Sequence, residues 1–370
     1  MEDIKKFART DCRYFIGEKP CRFKRECPGC EKYDAIRETI LVIKLAAAGD
    51  VLRTTPLLRA LREKHPGAYI TWLVDRFSLE LLEGIPLIDR LLPYGVESIA
   101  FLETLQFDRL YALDKEPGAT AAAMKIRAGK KFGFCHTEAG KLSIFNPEAA
   151  YAFRLGISDH LKFKENRKSY QEIIFELAGM PFRGEDYLLS IPEVCRKKIN
   201  AKLKPAGSGK RIALNLGAGP VFANKSWPED YFVDLIQKLR QEEHMIPVVV
   251  AGPGEKALYD RVLKKAGQNA FAGGCDNSLM EFAALLESCD VVVAGDTMAL
   301  HIALACRRRV VGLFGPTCRQ EILLYGRGEL LTTPKACAPC YLNACDIRPN
   351  CMEEIPVKQV FQAIHRQLAE

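Results

Sequence analysis

At 370 residues, 48% hydrophobic and 27% charged, the chain is longer than the roughly 250–300 residues one hydrophobic core usually serves, and two domains are expected. Fifty-three basic side chains against 46 acidic ones leave a net charge of +7, too modest at this length to read as a nucleic-acid binder. Glycine and proline are spread along the chain, which excludes wholesale disorder. The longest apolar runs fall short of the roughly 18–20 residues of a membrane span, and the charged N-terminus lacks the apolar core of a signal peptide, so a cytoplasmic protein is expected.

Residues 1–38 precede any strand pattern. From Thr39 to Leu45 a β-branched, nearly continuous apolar run predicts a parallel strand covered on both faces. The turn Ala46-Ala47-Ala48-Gly49-Asp50 leads into a helix with apolar residues at helical spacing from Val51 toward Lys64, closed by Pro66-Gly67. Tyr69–Asp75 is a second strand, which completes a βαβ unit. The alternation continues with a helix at Glu97–Leu105, a strand at Phe107–Leu113 and a further strand pattern over 130–135. Residues 168–179 return to helix, and 192–210, rich in lysine, reads as a linker. Beyond it the alternation repeats: strands at Arg211–Leu216, Ile246–Ala251, Val291–Ala294 and Val310–Phe314 interleave with helices at Pro228–Leu239, Glu255–Ala266, Leu279–Ser288 and Thr297–Cys306. A last helix, Val357–Leu368, is expected to pack back on the first domain. The reading is α/β: two Rossmann-like, doubly wound domains facing a cleft, with cysteine-rich segments near both termini.

Eight of the fourteen cysteines fall into two clusters, Cys12, Cys21, Cys27 and Cys30 near the start and Cys337, Cys340, Cys345 and Cys351 near the end. Each contains one C-x-x-C pair among residues poorly suited to helix or strand. In a reducing compartment a structural zinc or iron held by four thiolates is the expected use of each set. The remaining six are scattered, as small buried hydrophobes would be.

In open parallel sheets ligands bind beyond the carboxyl ends of the strands. Four turns there stand out. Gly49-Asp50 opens the first helix, where the glycine suits a tight turn or the close approach of a ligand and the aspartate suits helix capping. Asn215-Leu216-Gly217-Ala218-Gly219-Pro220 runs on to Lys225, which suits a phosphate or an ordinary exposed position. Gly252-Pro253-Gly254-Glu255 offers a carboxylate for a ribose diol or for the helix dipole alone. Asp296, Thr297 and His301 share a helix start, followed by Gly315 and Thr317 after the next strand. Between Thr120 and Lys168 ten basic residues face four acidic ones, a segment suited to an anionic partner or to a solvated surface.

These motifs together, ILVIKLAAAGDVLRTTPLLRAL, NLGAG with NKSWP, VVVAGPGE, and DVVVAGDTMALHIALAC with VVGLFGPT, resemble the heptosyltransferases of glycosyltransferase family 9. The resemblance implies the GT-B fold, with residues 39–190 as acceptor domain, 191–335 as nucleotide-sugar domain, and 336–370 as cysteine cluster plus returning helix. It implies inverting, metal-independent transfer of heptose from ADP-heptose to a lipopolysaccharide core acceptor, an anionic glycolipid at the inner face of the cytoplasmic membrane, with the enzyme peripheral at most. Asp50 matches the family's catalytic base, Lys225 its donor-phosphate lysine and Glu255 its ribose carboxylate. Asp296, Thr297 and His301 match its donor motif, joined by Gly217, Gly315 and Thr317. Lys130, Lys131, Lys162 and Lys164 are the expected acceptor contacts. No catalytic cofactor is implied. Ala46-Ala47 and Met298 depart from the family's usual serines and glycine. A protein acceptor, a nucleotide-sugar epimerase of the same fold, and a non-catalytic metal-binding relative are the competing readings.

Overall fold

The structure is a computed structural model that describes residues 4–219, 223–242 and 244–369; Pro220 and the first three residues lie outside the described set. The chain forms two compact units. The first runs from the N-terminal segment to Ala46 and adds Thr54–Phe153 and Ile174–Glu185. The second comprises Ala47–Arg53, Arg154–Ile173 and everything from Asp186 onward.

The first unit holds a six-stranded sheet of β1 (Glu38–Ile43), β2 (Ala68–Val74), β3 (Arg90–Pro93), β4 (Gln106–Ala112), β5 (Arg127–His136) and β6 (Leu142–Ile144), in the order 3-2-1-4-5-6. All pairs are parallel except β5 with β6. Ile40 to Ile43 are fully buried, as a central strand covered on both faces requires. The expected single helix after β1 is two, α1 (Ala48–Thr54) and α2 (Leu57–Lys64). Pro56 explains the break, since it lacks an amide hydrogen and its ring crowds the carbonyl one turn back. Helices α3 (Val96–Glu103), α4 (Pro117–Lys125) and α5 (Ala150–Leu155) follow, then α6 (Tyr170–Leu177).

At the carboxyl end of β1 the Lys44 ammonium, 3% exposed, meets Asp114 at 2.5 Å, beyond the end of β4. Asp114 also accepts the backbone amides of Leu45 (2.5 Å) and Ala46 (3.1 Å). One buried carboxylate thus fixes the course of the chain as it leaves the sheet toward α1.

The segment read as a linker is in fact helix α7 (Glu193–Leu203). Lys197 and Lys198 are exposed and Lys202 donates to Asn277 Oδ1 at 3.0 Å, while Ile199 and Leu203 are buried. It leads to the second sheet, β7 (Lys210–Asn215), β8 (Met245–Val250), β9 (Phe271–Gly274), β10 (Val291–Gly295), β11 (Arg309–Phe314) and β12 (Gly328–Thr332). Its order, 12-11-10-7-8-9, is all parallel and, counted from its own first strand, repeats 3-2-1-4-5-6. Each unit therefore has the doubly wound topology, with its switch point beside the first strand. Helices α8 (Glu229–Gln241), α9 (Lys256–Ala266), α10 (Leu279–Glu287) and α11 (Met298–Ala305) connect the strands, and α12 (Val357–Ala369) closes the chain. Whereas the sequence reading sends that last helix to the first domain, Val360, Ala363 and Ile364 lie in the core of the second unit with Leu235 and Leu239 of α8. No helix among the described residues is long and apolar enough to cross a membrane.

Replacing Asp114 with Ala would strand the buried Lys44 charge and two backbone amides. Breaking a buried pair in this way costs about 3–5 kcal/mol, so the urea midpoint of the first unit's unfolding should fall clearly. An unchanged midpoint would show that the pair does not hold the turn.

Candidate functional site

The second unit gathers most of the site residues read from the sequence. Asp50 is the third residue of α1, one turn before Arg53. Its side chain remains 38% exposed, while that of Arg53 is 7% exposed. The Arg53 guanidinium donates to Asp50 Oδ1 at 3.2 Å and to the Glu321 carbonyl at 2.6 Å, and stacks 4.0 Å over the Tyr170 ring. Burial alone would lower the Arg53 pKa; Asp50 leads the charges that hold it above its ordinary value.

Beneath this pair lies His301 of α11, 4% exposed. A Cβ built on Gly49 would stand 2.8 Å from His301 Cδ2, so only glycine lets the turn before Asp50 approach so closely. His301 Nδ1 shares a hydrogen bond with the Tyr187 hydroxyl at 3.3 Å. Burial, and then the Arg53 charge, push the imidazole pKa down to about 4, which keeps it neutral near pH 7.

Asp296 and Lys225 form the adjoining pair. Lys225 Nζ lies 3.4 Å from both the carboxylate and the backbone carbonyl of Asp296. Although burial would raise the Asp296 pKa, Lys225, His301 and Arg53 hold it below the usual value. Thr297 is the N-cap of α11, its hydroxyl 3.4 Å from Asn215 Nδ2, which also donates to the Gly217 carbonyl at 3.1 Å. Glu255 accepts the Gly219 amide at 3.1 Å, and a Cβ on Gly217 would stand 3.2 Å from its carboxyl carbon. The glycine loop after β7 is thereby folded over this carboxylate.

Gly315 and Thr317, which follow β11, line a cavity of about 450 Å³ together with Lys164, Arg167 and Arg319. Two expected donor residues and one expected acceptor lysine thus share a cavity. The four expected acceptor lysines are divided between the two units. Lys130 and Lys131 lie on β5 in the first unit, Lys162 and Lys164 in the second. Lys131 donates to the last carbonyls of α4, at 2.8 Å to Ala123 and 3.2 Å to Met124, a structural task. Lys162 sits 4.0 Å over the Tyr341 ring, and its carbonyl accepts Gln320 Nε2 at 3.0 Å. Lys130 and Lys164 are exposed.

All eight clustered cysteines are free thiols. Among the described residues no three His, Cys, Asp or Glu side chains stand in a metal-ligand arrangement. Cys351 is buried in the second unit's core. Cys340 is tied by its amide to the Pro316 carbonyl at 3.0 Å, one residue from Thr317. The sequence reading overlooks Arg53, Tyr187 and Glu321. For Arg53 a signal exists, because a basic residue three positions after an acidic one in a helix faces it; the other two lie far along the chain with no motif.

For His301 the linkage sign is set by its lowered pKa. The unfolded chain binds a proton from about pH 6.5 downward, whereas the folded chain resists until about pH 4. The histidine's contribution to stability is therefore complete above pH 6.5 and is lost as pH falls toward 4, by roughly 3 kcal/mol. Urea midpoints compared between the native chain and His301→Gln over this window should diverge; parallel curves would refute a buried neutral imidazole.

Comparison with known proteins places this geometry in a family. The sequence description of glycosyltransferase family 9 (heptosyltransferase) matches residues 102–348. A lipopolysaccharide heptosyltransferase 1 from Pseudomonas aeruginosa is 22% identical over 334 residues, covering 84% of this chain and 88% of that protein. A family 9 glycosyltransferase from Veillonella parvula superposes with a TM-score of 0.69 at 20% identity, covering 90% of this chain and 97% of that one. ADP-heptose lipopolysaccharide heptosyltransferase II of Escherichia coli superposes with a TM-score of 0.66 at 17% identity, over 90% and 98%. The two parallel-sheet α/β units are those of the GT-B fold, and the chain belongs to glycosyltransferase family 9.

Proposed function

We propose that this chain transfers heptose, with inversion, from ADP-heptose to a lipopolysaccharide core acceptor. The observation that carries the reading is the network joining Asp50, Arg53, His301, Asp296 and Lys225, drawn from separate stretches of the chain into one site. Asp50 combines a fixed carboxylate with residual exposure, as a base that must meet an incoming hydroxyl requires. It takes the proton as the acceptor oxygen attacks the anomeric carbon, and the bond to the diphosphate breaks on the opposite face. A carboxylate suffices because the transition state is oxocarbenium-like and needs little nucleophilic push. The charge that develops on the departing diphosphate falls to Lys225 and to the amides at the start of α11, where the helix dipole adds its field. Glu255 receives the ribose hydroxyls. Neutral His301 supports the turn carrying Asp50 without adding a competing positive charge.

The acceptor is read as an anionic glycan, such as a Kdo-bearing lipid A core, met by basic groups including Lys130 and Lys164. Contact with the membrane is peripheral at most, on the cytoplasmic side. No catalytic cofactor takes part. Cys337, Cys340, Cys345 and Cys351 would be the ligands of a structural zinc or iron, for which soft thiolates are suited; such an ion would supply a cross-link in the loop that begins beside Thr317.

Asp50→Asn keeps the shape of the side chain and its contact with Arg53. It should fold and bind ADP-heptose normally yet lose about 10²- to 10⁴-fold in turnover, measured with Kdo-lipid A as acceptor. Near-native turnover would end the assignment of Asp50. Reversing the two exposed lysines, Lys130→Glu with Lys164→Glu, should raise the acceptor KM and flatten its dependence on salt. Unchanged values would mark them as a solvated surface.

A further inference from the structure

The buried end of the site holds one contact that the transfer step leaves unused. His301 of α11, 4% exposed, is wedged between two groups. A Cβ built on Gly49 would stand 2.8 Å from its Cδ2 and 3.6 Å from its Nε2, so the Cδ2–Nε2 edge lies against the turn that carries Asp50. Nδ1, on the other side of the ring, lies 3.3 Å from the Tyr187 hydroxyl. The imidazole therefore reaches from a buried phenol to the Gly49-Asp50 turn.

Tyr187 is itself held in place. It is 5% exposed, and its ring meets that of Tyr325 edge-on with centroids 5.7 Å apart. Asp186, its neighbour in the chain, takes two hydrogen bonds from the Arg327 guanidinium, at 2.7 and 3.0 Å, and accepts the Tyr187 amide at 2.9 Å. A forked arginine–carboxylate pair of this kind fixes direction as well as distance. The phenol thus meets His301 from a backbone that is clamped independently of the histidine.

The direction of the hydrogen bond decides what the imidazole offers. An uncharged imidazole carries one proton, and the nitrogen that accepts a hydrogen bond cannot be the one that holds it. Three features make the phenol the donor. Burial pushes the Tyr187 pKa up to about 12, so the proton stays on its oxygen. Arg53 acts on the same hydroxyl as a positive charge, and a hydroxyl dipole in such a field turns its lone pairs toward the cation and its proton away. Gln171 lies beside the hydroxyl, but its amide lacks the alignment of a hydrogen bond, which leaves Nδ1 as the acceptor in place. With Nδ1 accepting, the imidazole proton sits on Nε2, toward the Gly49 turn and in the field of Asp296 and Asp50.

We infer that Tyr187 is a positioning residue of the transfer site: its hydroxyl donates to His301 Nδ1, keeps the imidazole proton on Nε2, and so fixes the ring edge on which the Gly49-Asp50 turn rests. Its bearing on catalysis rests on the proposed heptosyl transfer; the hydrogen bond and the hold on the turn do not.

The chain labelled with nitrogen-15 at histidine is measured by long-range nitrogen–proton correlation, and His301 is identified among the six histidines by its loss in His301→Gln. Its Nδ1 should show the shift of an unprotonated nitrogen and its Nε2 that of a protonated one. Tyr187→Phe keeps the ring and its contact with Tyr325 but removes the donor. This variant should lose the fixed pattern, and its backbone amides over residues 47–53 should exchange faster, read by mass spectrometry, with unchanged circular dichroism. In transfer from ADP-heptose to Kdo-lipid A its kcat should fall, by up to about 10²-fold as for a misplaced catalytic group, while the KM for ADP-heptose stays near native. A native proton on Nδ1 overturns the proposal. So does amide exchange over 47–53 that is the same in both chains, or an unchanged kcat in an active enzyme. The native spectrum decides the direction of the hydrogen bond even where the variant fails to fold. A chain with the expected spectrum and exchange that transfers no heptose speaks against the proposed function and not against the hold of Tyr187 on the turn.

Discussion

A guanidinium taken almost wholly out of water governs the arrangement of the site. Removing an ion from solvent costs several kcal/mol unless partners replace the lost hydration, and Arg53 obtains them from three separated stretches: Asp50 on its own helix, the Glu321 carbonyl after β11, and the Tyr170 ring at the start of α6. Each partner is thereby committed to one place. Asp50 in particular cannot rotate freely into solvent without leaving Arg53 less compensated. The rigidity of the carboxylate therefore follows from the burial of its neighbour and not from packing around the carboxylate itself, which stays partly open.

The same burial sets the charge state beneath it. His301 is enclosed with a cation on one side and carboxylates on others, and desolvation outweighs both carboxylates, so the imidazole is neutral. Asp296 shows the opposite balance: Lys225 and its other positive neighbours outweigh desolvation, and the carboxylate is ionised. Two neighbouring groups are driven in opposite directions by one environment, and the outcome is a site whose positive charge is concentrated on Lys225 and Arg53. Gly49 makes the arrangement sterically feasible, because a side chain there would collide with His301, while one at Gly217 would press on the Glu255 carboxylate.

Family 9 membership and the GT-B fold rest on features written locally in the chain. The alternation of apolar strands with amphipathic helices survives in any context because period and burial are tied, and so both sheets could be read from sequence. Short strands at the sheet edges were the harder part. Phe271–Gly274 and Gly328–Thr332 are only four and five residues long, and the first is half glycine, so neither has enough apolar periodicity to stand out. The lysine-rich run at 193–203 hid a helix because only Ile199 and Leu203 on it are buried.

The sequence by itself determined the strand-end turns and the residue types they carry, since glycine, aspartate and lysine at those positions are demanded by turn geometry and by ligand chemistry alike. Tertiary structure decided which of those residues meet. That Asp50 belongs to the same unit as His301, that Lys162 and Lys164 are assigned to a different unit from Lys130 and Lys131, and that α12 serves the core beside α8 all depend on contacts between residues far apart in the chain. Such contacts are chosen by the burial of whole faces and of single charges, a balance summed over the folded molecule that no local stretch of sequence contains.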